Sequence, residues 1–231
     1  MGCHSARLAR VEDLGDVLAQ AWLETLDLVG SLDPTGLRTA TDLPGWTVLD
    51  LSFHLMLDAQ RALVALADPG PGPADTDRVT YWSGQQPGLP GADDHAAYVR
   101  RAAAAYASPT GLLRHWDDTV QGALAAVRHA DPADHVATQG HVLAVPDVVH
   151  TLVVEAAVHR LDLAARLPQA PSPPPVPLRC VREVLDGLLG HPVPVEWDDA
   201  TYARKGTGRT ALDAGERALL GADAARFPLF G

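Results

Sequence analysis

The segment VPDVVHTLVVEAAVHRLDLAARL, residues 145–167, constrains the fold more than any other stretch. Pro146 and Asp147 suit a first helical turn, where a missing N–H costs nothing and an acid meets the positive end of the helix dipole. The run stops before PQAPSPPPVP, which no regular element crosses easily. A mostly apolar helix is expected between these limits. Within it Glu155 and His159 stand four residues apart, about 40° around the helix, in the same stripe as Val148, Leu152 and Leu163. An ionised carboxylate turned toward a core without a partner is costly. This face should therefore contain a cation, a hydrogen-bond network or water, and a metal ion is one solution.

Other segments supply helices for it to pack on. Val11, Leu14, Leu18, Trp22, Leu26 and Val29 recur at helical spacing and predict a helix over 11–31, closed by SLDPTG. PGWT at 44–47 reads as a turn, with Thr47 as N-cap and Asp50 following it, and VLDLSFHLMLDAQRALVALA as the next helix. Residues 68–92, rich in Gly and Pro, read as a surface connection in which Tyr81 and Trp82 pack down or line a pocket. A helical region follows over 93–129, with Ser108 and Pro109 as N-cap and first residue of a new segment. Beyond a Pro-rich linker at 168–177, the pattern predicts a helix at 178–189, strand-like PVPVEW and TYARKG around a DDA turn, and a helix at 213–220. The expected fold is mainly α: a helical bundle over 1–167 and a small α/β appendage over 178–231. The appendage is too short for a confident core of its own and should pack on the bundle.

The formal charge of −11 argues against a nucleic-acid partner, which requires clustered Lys and Arg. A small-molecule ligand is the better expectation. Cys3 and Cys180 stand far apart and build neither a disulfide framework nor a CxxC motif, which fits a reducing cytoplasm. No apolar run is long enough for a membrane span, and the N-terminus lacks a signal-peptide pattern. A cytoplasmic protein with no membrane partner is expected.

Spacing alone does not establish a metal. About one pairing of an acid four residues before a histidine is expected by chance, and three occur: Asp50 with His54, Asp131 with His135, and Glu155 with His159. A catalytic ion takes three protein ligands and an open position, so a third ligand must come from another helix. His54 is the candidate. It shares a polar stripe with Asp50, Asp58 and Arg61, which reads as a solvated face unless that stripe lines a cavity. His150 points away from Glu155 and His159, and His95, His115, His129, His135 and His141 show no paired ligand spacing on a rigid face and read mostly as surface. On the residues alone, a metal and a satisfied Glu–His pair both stand.

Together, PGWTVLDLSFHL at 44–55 and VVEAAVHRLDLAARL at 153–167 resemble the two signature segments of the mycothiol-dependent maleylpyruvate isomerase family, a branch of the DinB-like helical bundles. The resemblance covers most of residues 10–167. It implies a DinB-like four-helix bundle in which His54, Glu155 and His159 hold a divalent metal, usually zinc. It also implies mycothiol as the thiol cosubstrate and a small electrophile such as maleylpyruvate, which is isomerised or receives the thiol. Asp162 then stands where it either orients a ligand or forms an exposed helix pair, and Trp46 packs the start of its helix.

The tail from EWDDATYARKG onward resembles the end of the family's small C-terminal domain, shortened relative to the sterol-carrier-like version. Arg209, at the Gly208–Arg209 step, is the catalytic candidate. Arg204 and Lys205 are candidate cofactor-binding residues on a glycine-rich turn suited to a carboxylate, and a solvated basic loop is the plainer alternative. Two rival functions remain: a metal-dependent hydrolase on the same site, and a non-catalytic binding or regulatory module with a closed fourth ligand such as His141 or His150.

Overall fold

Leu14, Leu18, Trp22, Thr25 and Val29, one helical face of α1 (Val11–Gly30), are all buried. The computed structural model describes residues 11–85, 92–167 and 170–231. Cys3 lies outside them.

Helix α2 (Val48–Ala67) matches the expected limits, and its first turn explains why. Thr47 is extended, its hydroxyl accepts the Asp50 N–H, and the Asp50 carboxylate accepts the Thr47 N–H. Such a reciprocal cap is worth about 1 kcal/mol. The expected helical region is two helices, α3 (Ala92–Ala104) and α4 (Pro109–His129), and Ser108 caps the second by accepting the Gly111 N–H.

Helix α5 (Val145–Ala164) lies at the centre. It packs on α1, α2 and α6 (Pro175–Leu189), while α4 packs on α1 and α2. Every residue from Val148 to Leu163 is buried except the half-buried Glu155. His150, expected at the surface, is therefore interior, because α6 covers the side of α5 opposite the Glu155–His159 face. A helix enclosed on all sides normally carries apolar residues alone. The polar groups of α5 therefore need internal partners.

A hairpin joins α4 to α5 where no strands were expected. Strands β1 (His135–Thr138) and β2 (His141–Ala144) pair antiparallel, from His135 opposite Ala144 to Thr138 opposite His141. Gln139 and Gly140 both have positive φ, as a tight two-residue hairpin turn requires. The connection after α2 hydrogen-bonds along this hairpin, with Gly70 N–H donating to the His135 carbonyl and Asp75 N–H to that of Val142. It then forms a 3-10 helix, Thr80–Gly84, that buries Tyr81 and Trp82.

The C-terminal part is a correction to the expected α/β appendage, since among the described residues it is helical. Residues 192–197 adopt no regular structure. TYARKG is helix α7 (Asp199–Gly206), because the Asp198 side chain accepts the Thr201 N–H and starts a helix that strand-like alternation does not foretell. Helix α8 (Ala214–Leu220) follows. As expected, this part packs on the rest: α6 contacts both α5 and α7. Gly206 allows the approach of α7 to α6, since a Cβ there would come within 2.5 Å of the Leu185 side chain. No helix among the described residues is long and apolar enough to cross a membrane.

Candidate metal centre

Packing of α2 on α5 brings His54 to Glu155 and His159. His54 Nε2 lies 3.1 Å from His159 Nε2, which lies 3.3 Å from Glu155 Oε2. One ligand atom from each of the three falls within 4.8 Å of the others. Zinc bonds nitrogen and oxygen at about 2.0–2.2 Å, so one ion can bridge donors so placed. Two imidazole nitrogens and one carboxylate oxygen also form a donor set that leaves a position open. The three residues therefore fit a divalent ion.

The second nitrogen of His159 fixes the direction of the first. His159 Nδ1 lies 3.0 Å from Asp162 Oδ2. A carboxylate only accepts, so Nδ1 carries the hydrogen, and Nε2 is the nitrogen turned toward Glu155 and His54. Asp162 is fully buried, which corrects the simpler expectation of an exposed helix pair. Arg209 grips it with two prongs, Nε to Oδ1 at 3.1 Å and Nη2 to Oδ2 at 3.0 Å. Burial opposes the Asp162 charge, but His159 and Arg209 overcome it and hold its pKa down at about 2.

The polar stripe of α2 faces inward, contrary to a solvated face. Asp58 is buried with Oδ2 at 3.9 Å from His54 Nε2, and Arg61 Nε lies 3.7 Å from Asp58 Oδ1. Arg61 Nη1 donates to the Tyr81 hydroxyl at 3.1 Å and to Thr151 Oγ1 at 3.4 Å, and Tyr81 in turn donates to Gln139. On the outer side of His54, Trp46 meets its ring edge-on at 5.4 Å, and His95 Nε2 approaches His54 Nδ1 to 3.4 Å. Sequence spacing carries no signal for His95, because α3 is joined to α2 by a long connection and its register is set only by packing.

Burial and close pairing push the titrations of the cluster apart. Burial and the neighbouring His159 push the His54 pKa down to about 3. Burial also works against a charged His159, but hydrogen bonds to Asp162 and Glu155 outweigh it and raise that pKa to about 9. Glu155 is pulled below the usual carboxylate range by His159 although burial opposes this, and Asp58 is pushed up by burial and by Glu155. A cavity of about 90 Å³ reaches Glu155 and His159, walled by Trp82, Arg209 and Phe230. A larger one, about 550 Å³, shares Arg209 and Gly231 with it and is lined by Leu43, Thr207, Arg217 and Phe227 among others.

A family model, that of the mycothiol maleylpyruvate isomerase N-terminal domain, matches residues 18–164. The chain belongs to this family. The match includes His54, Glu155 and His159 and ends before the C-terminal part. Among solved structures, the chain is similar to a crystal structure of the mycothiol-dependent maleylpyruvate isomerase, with TM-score 0.54 and 17% identity over 76% of this chain and 69% of that one. A histidine-to-alanine mutant of the mycothiol-dependent maleylpyruvate isomerase gives TM-score 0.53 and 16% identity over the same shares. These likenesses establish the DinB-like maleylpyruvate isomerase fold. Comparison with curated proteins finds no match.

In this family member the three basic candidates of the tail part company. Arg204 is engaged with Asp42 at 3.5 Å and with the Leu161 carbonyl at 3.3 Å, and it lines neither cavity. Lys205 reaches the larger cavity but is paired with Glu216 at 2.7 Å. Both stand on α7, so the expected glycine-rich turn begins only after them. Arg209 alone reaches the cluster, through Asp162. Neither suggested fourth ligand joins it: His141 pairs with Asp75 at 3.3 Å, and His150 lies 3.6 Å from Glu183 on the α6 side.

Proposed function

We propose that the protein is a metal-dependent enzyme that activates mycothiol, a low-molecular-weight thiol, for isomerisation of, or transfer to, a small electrophile such as maleylpyruvate. The observation that carries this is the convergence of His54, Glu155 and His159 within 4.8 Å from two packed helices. Family membership and fold support the thiol.

His54, Glu155 and His159 would hold the ion. When bound, a divalent ion such as zinc supplies the positive charge that lets a thiol lose its proton at neutral pH. Asp162, clamped by Arg209, keeps His159 in the tautomer that a ligand needs. Trp82 and Phe230, packed at 4.5 Å, wall the small cavity with apolar surface and limit water. Arg217 has no ion-pair partner among the described residues and faces the larger cavity, where it suits an anionic group. The chain's own described thiol does not serve, since Cys180 is buried and its pKa is pushed up to about 11.

In isomerisation the sulfur of the thiolate adds to a cis double bond, the resulting single bond rotates, and loss of the same thiolate gives the trans isomer, with nothing consumed. Transfer stops at the adduct, which takes up one proton. The test is turnover of maleylpyruvate by zinc-loaded protein with and without mycothiol, followed by the loss of substrate absorbance. Turnover that requires the thiol is the expected result. Consumption at an equal rate without thiol would contradict it and favour hydrolysis.

A further inference from the structure

We propose that His95 is a positioning residue for the metal ligand His54, accepting a hydrogen bond from its outer nitrogen. This rests on the assignment of His54 as a ligand. A metal-binding histidine commits one nitrogen to the ion and donates the N–H of the other to an acceptor that fixes tautomer and ring orientation. For His159 that acceptor is Asp162. His54 directs Nε2 to the cluster, so Nδ1 must carry the hydrogen, and no carboxylate or carbonyl within hydrogen-bond distance receives it among the described residues. The group that does approach is His95 Nε2, at 3.4 Å from His54 Nδ1.

The surrounding contacts hold this pair in place. The two rings meet edge-to-face at 5.4 Å, and Trp46 closes on both, 5.4 Å from His54 and 6.5 Å from His95. On the neighbouring residues, Phe53 of α2 meets Tyr98 of α3 at 6.1 Å, so α3 docks through adjacent ring pairs. His95 is otherwise exposed and makes no ion pair among the described residues, so no other contact among them requires an imidazole there. An aromatic cap over His54 would be served as well by other side chains. Acceptance at Nε2 is what distinguishes histidine, and glutamine can reproduce it through Oε1.

The test is zinc affinity by competition with a chromophoric chelator for wild type, His95→Ala and His95→Gln, with helical content and thermal unfolding of each metal-free protein measured alongside. Loss of about 10–100-fold is expected for His95→Ala, with His95→Gln recovering most of it and the metal-free proteins unfolding alike. Affinity within about twofold of wild type in His95→Ala, or equal loss in the alanine and glutamine variants, would overturn the acceptor role. If wild type itself takes up no zinc, the assignment of His54 as a ligand fails first, and that result is distinct from a failure of His95. Should His95→Ala fold poorly, the glutamine variant with a His95→Leu partner provides the same comparison.

Discussion

Asp162 and His159 form a buried hydrogen-bonded pair, Oδ2 to Nδ1 at 3.0 Å, one helical turn apart on the helix that the rest of the fold encloses. The pair gives the buried carboxylate a partner and aims the other imidazole nitrogen at Glu155 and His54. Stability and the site thus share one contact.

Replacing Asp162 by Asn removes the charge while keeping the volume. Arg209 and His159 then compete for a single uncharged amide oxygen, and an NH2 group turned toward Nδ1 favours the wrong tautomer, so zinc affinity should fall about 10–100-fold. Chelator competition on the folded variant checks this. An unchanged affinity would mean that Asp162 serves packing alone.

Replacing Arg209 by Met leaves the Asp162 carboxylate buried with only His159 to neutralise it. Breaking a buried pair from one side costs on the order of 3–5 kcal/mol, which urea unfolding at pH 7 should show. The pH dependence follows from the depressed pKa of Asp162, about 2 in the folded protein, against about 3.9 in an unfolded chain. The stabilisation is present above the unfolded value and is lost as pH falls through the folded one. The difference between wild type and Arg209→Met should therefore be largest above about pH 4 and shrink toward pH 2.

Cys180 should be chemically quiet. Burial is the largest cause of its raised pKa, about 11, with Glu183 adding to it. A Cys3→Ser protein, which leaves Cys180 as the single thiol, should react with a disulfide reagent at pH 8 about 100-fold more slowly when folded than when unfolded. Equal rates would remove the argument that the nucleophilic sulfur comes from outside.

Most of the helical frame was legible because each helix carries its own signals. The start of α2 followed from the Thr47–Asp50 cap and its end from the DPGPGPAD breaker, the start of α4 from Ser108–Pro109, and the start of α5 from Pro146. Glu155 and His159 were legible as an acid and an imidazole on one apolar face, and His54 through the resemblance of its segment to the family. Three features were not, and the first two depend on contacts distant in sequence. The hairpin at 135–144 turns on Gln139–Gly140, a weaker signal than Asn-Gly, and is fixed partly by hydrogen bonds from residues 68–75. The Asp58–Arg61 stripe looked solvated because charge usually is, whereas Tyr81 and Thr151 from other elements receive it inside. TYARKG alternates like a strand, but one capping aspartate decided for helix.

The central claim is that His54, Glu155 and His159 together hold one divalent ion. The most direct measurement is metal content by elemental analysis of protein loaded with zinc and desalted, for wild type beside His54→Ala, Glu155→Ala and His159→Ala, with helical content recorded for each. About one zinc per chain in wild type, lost in all three variants while they remain folded, is the predicted result. No zinc in wild type, or undiminished zinc in any of the three variants, would contradict it.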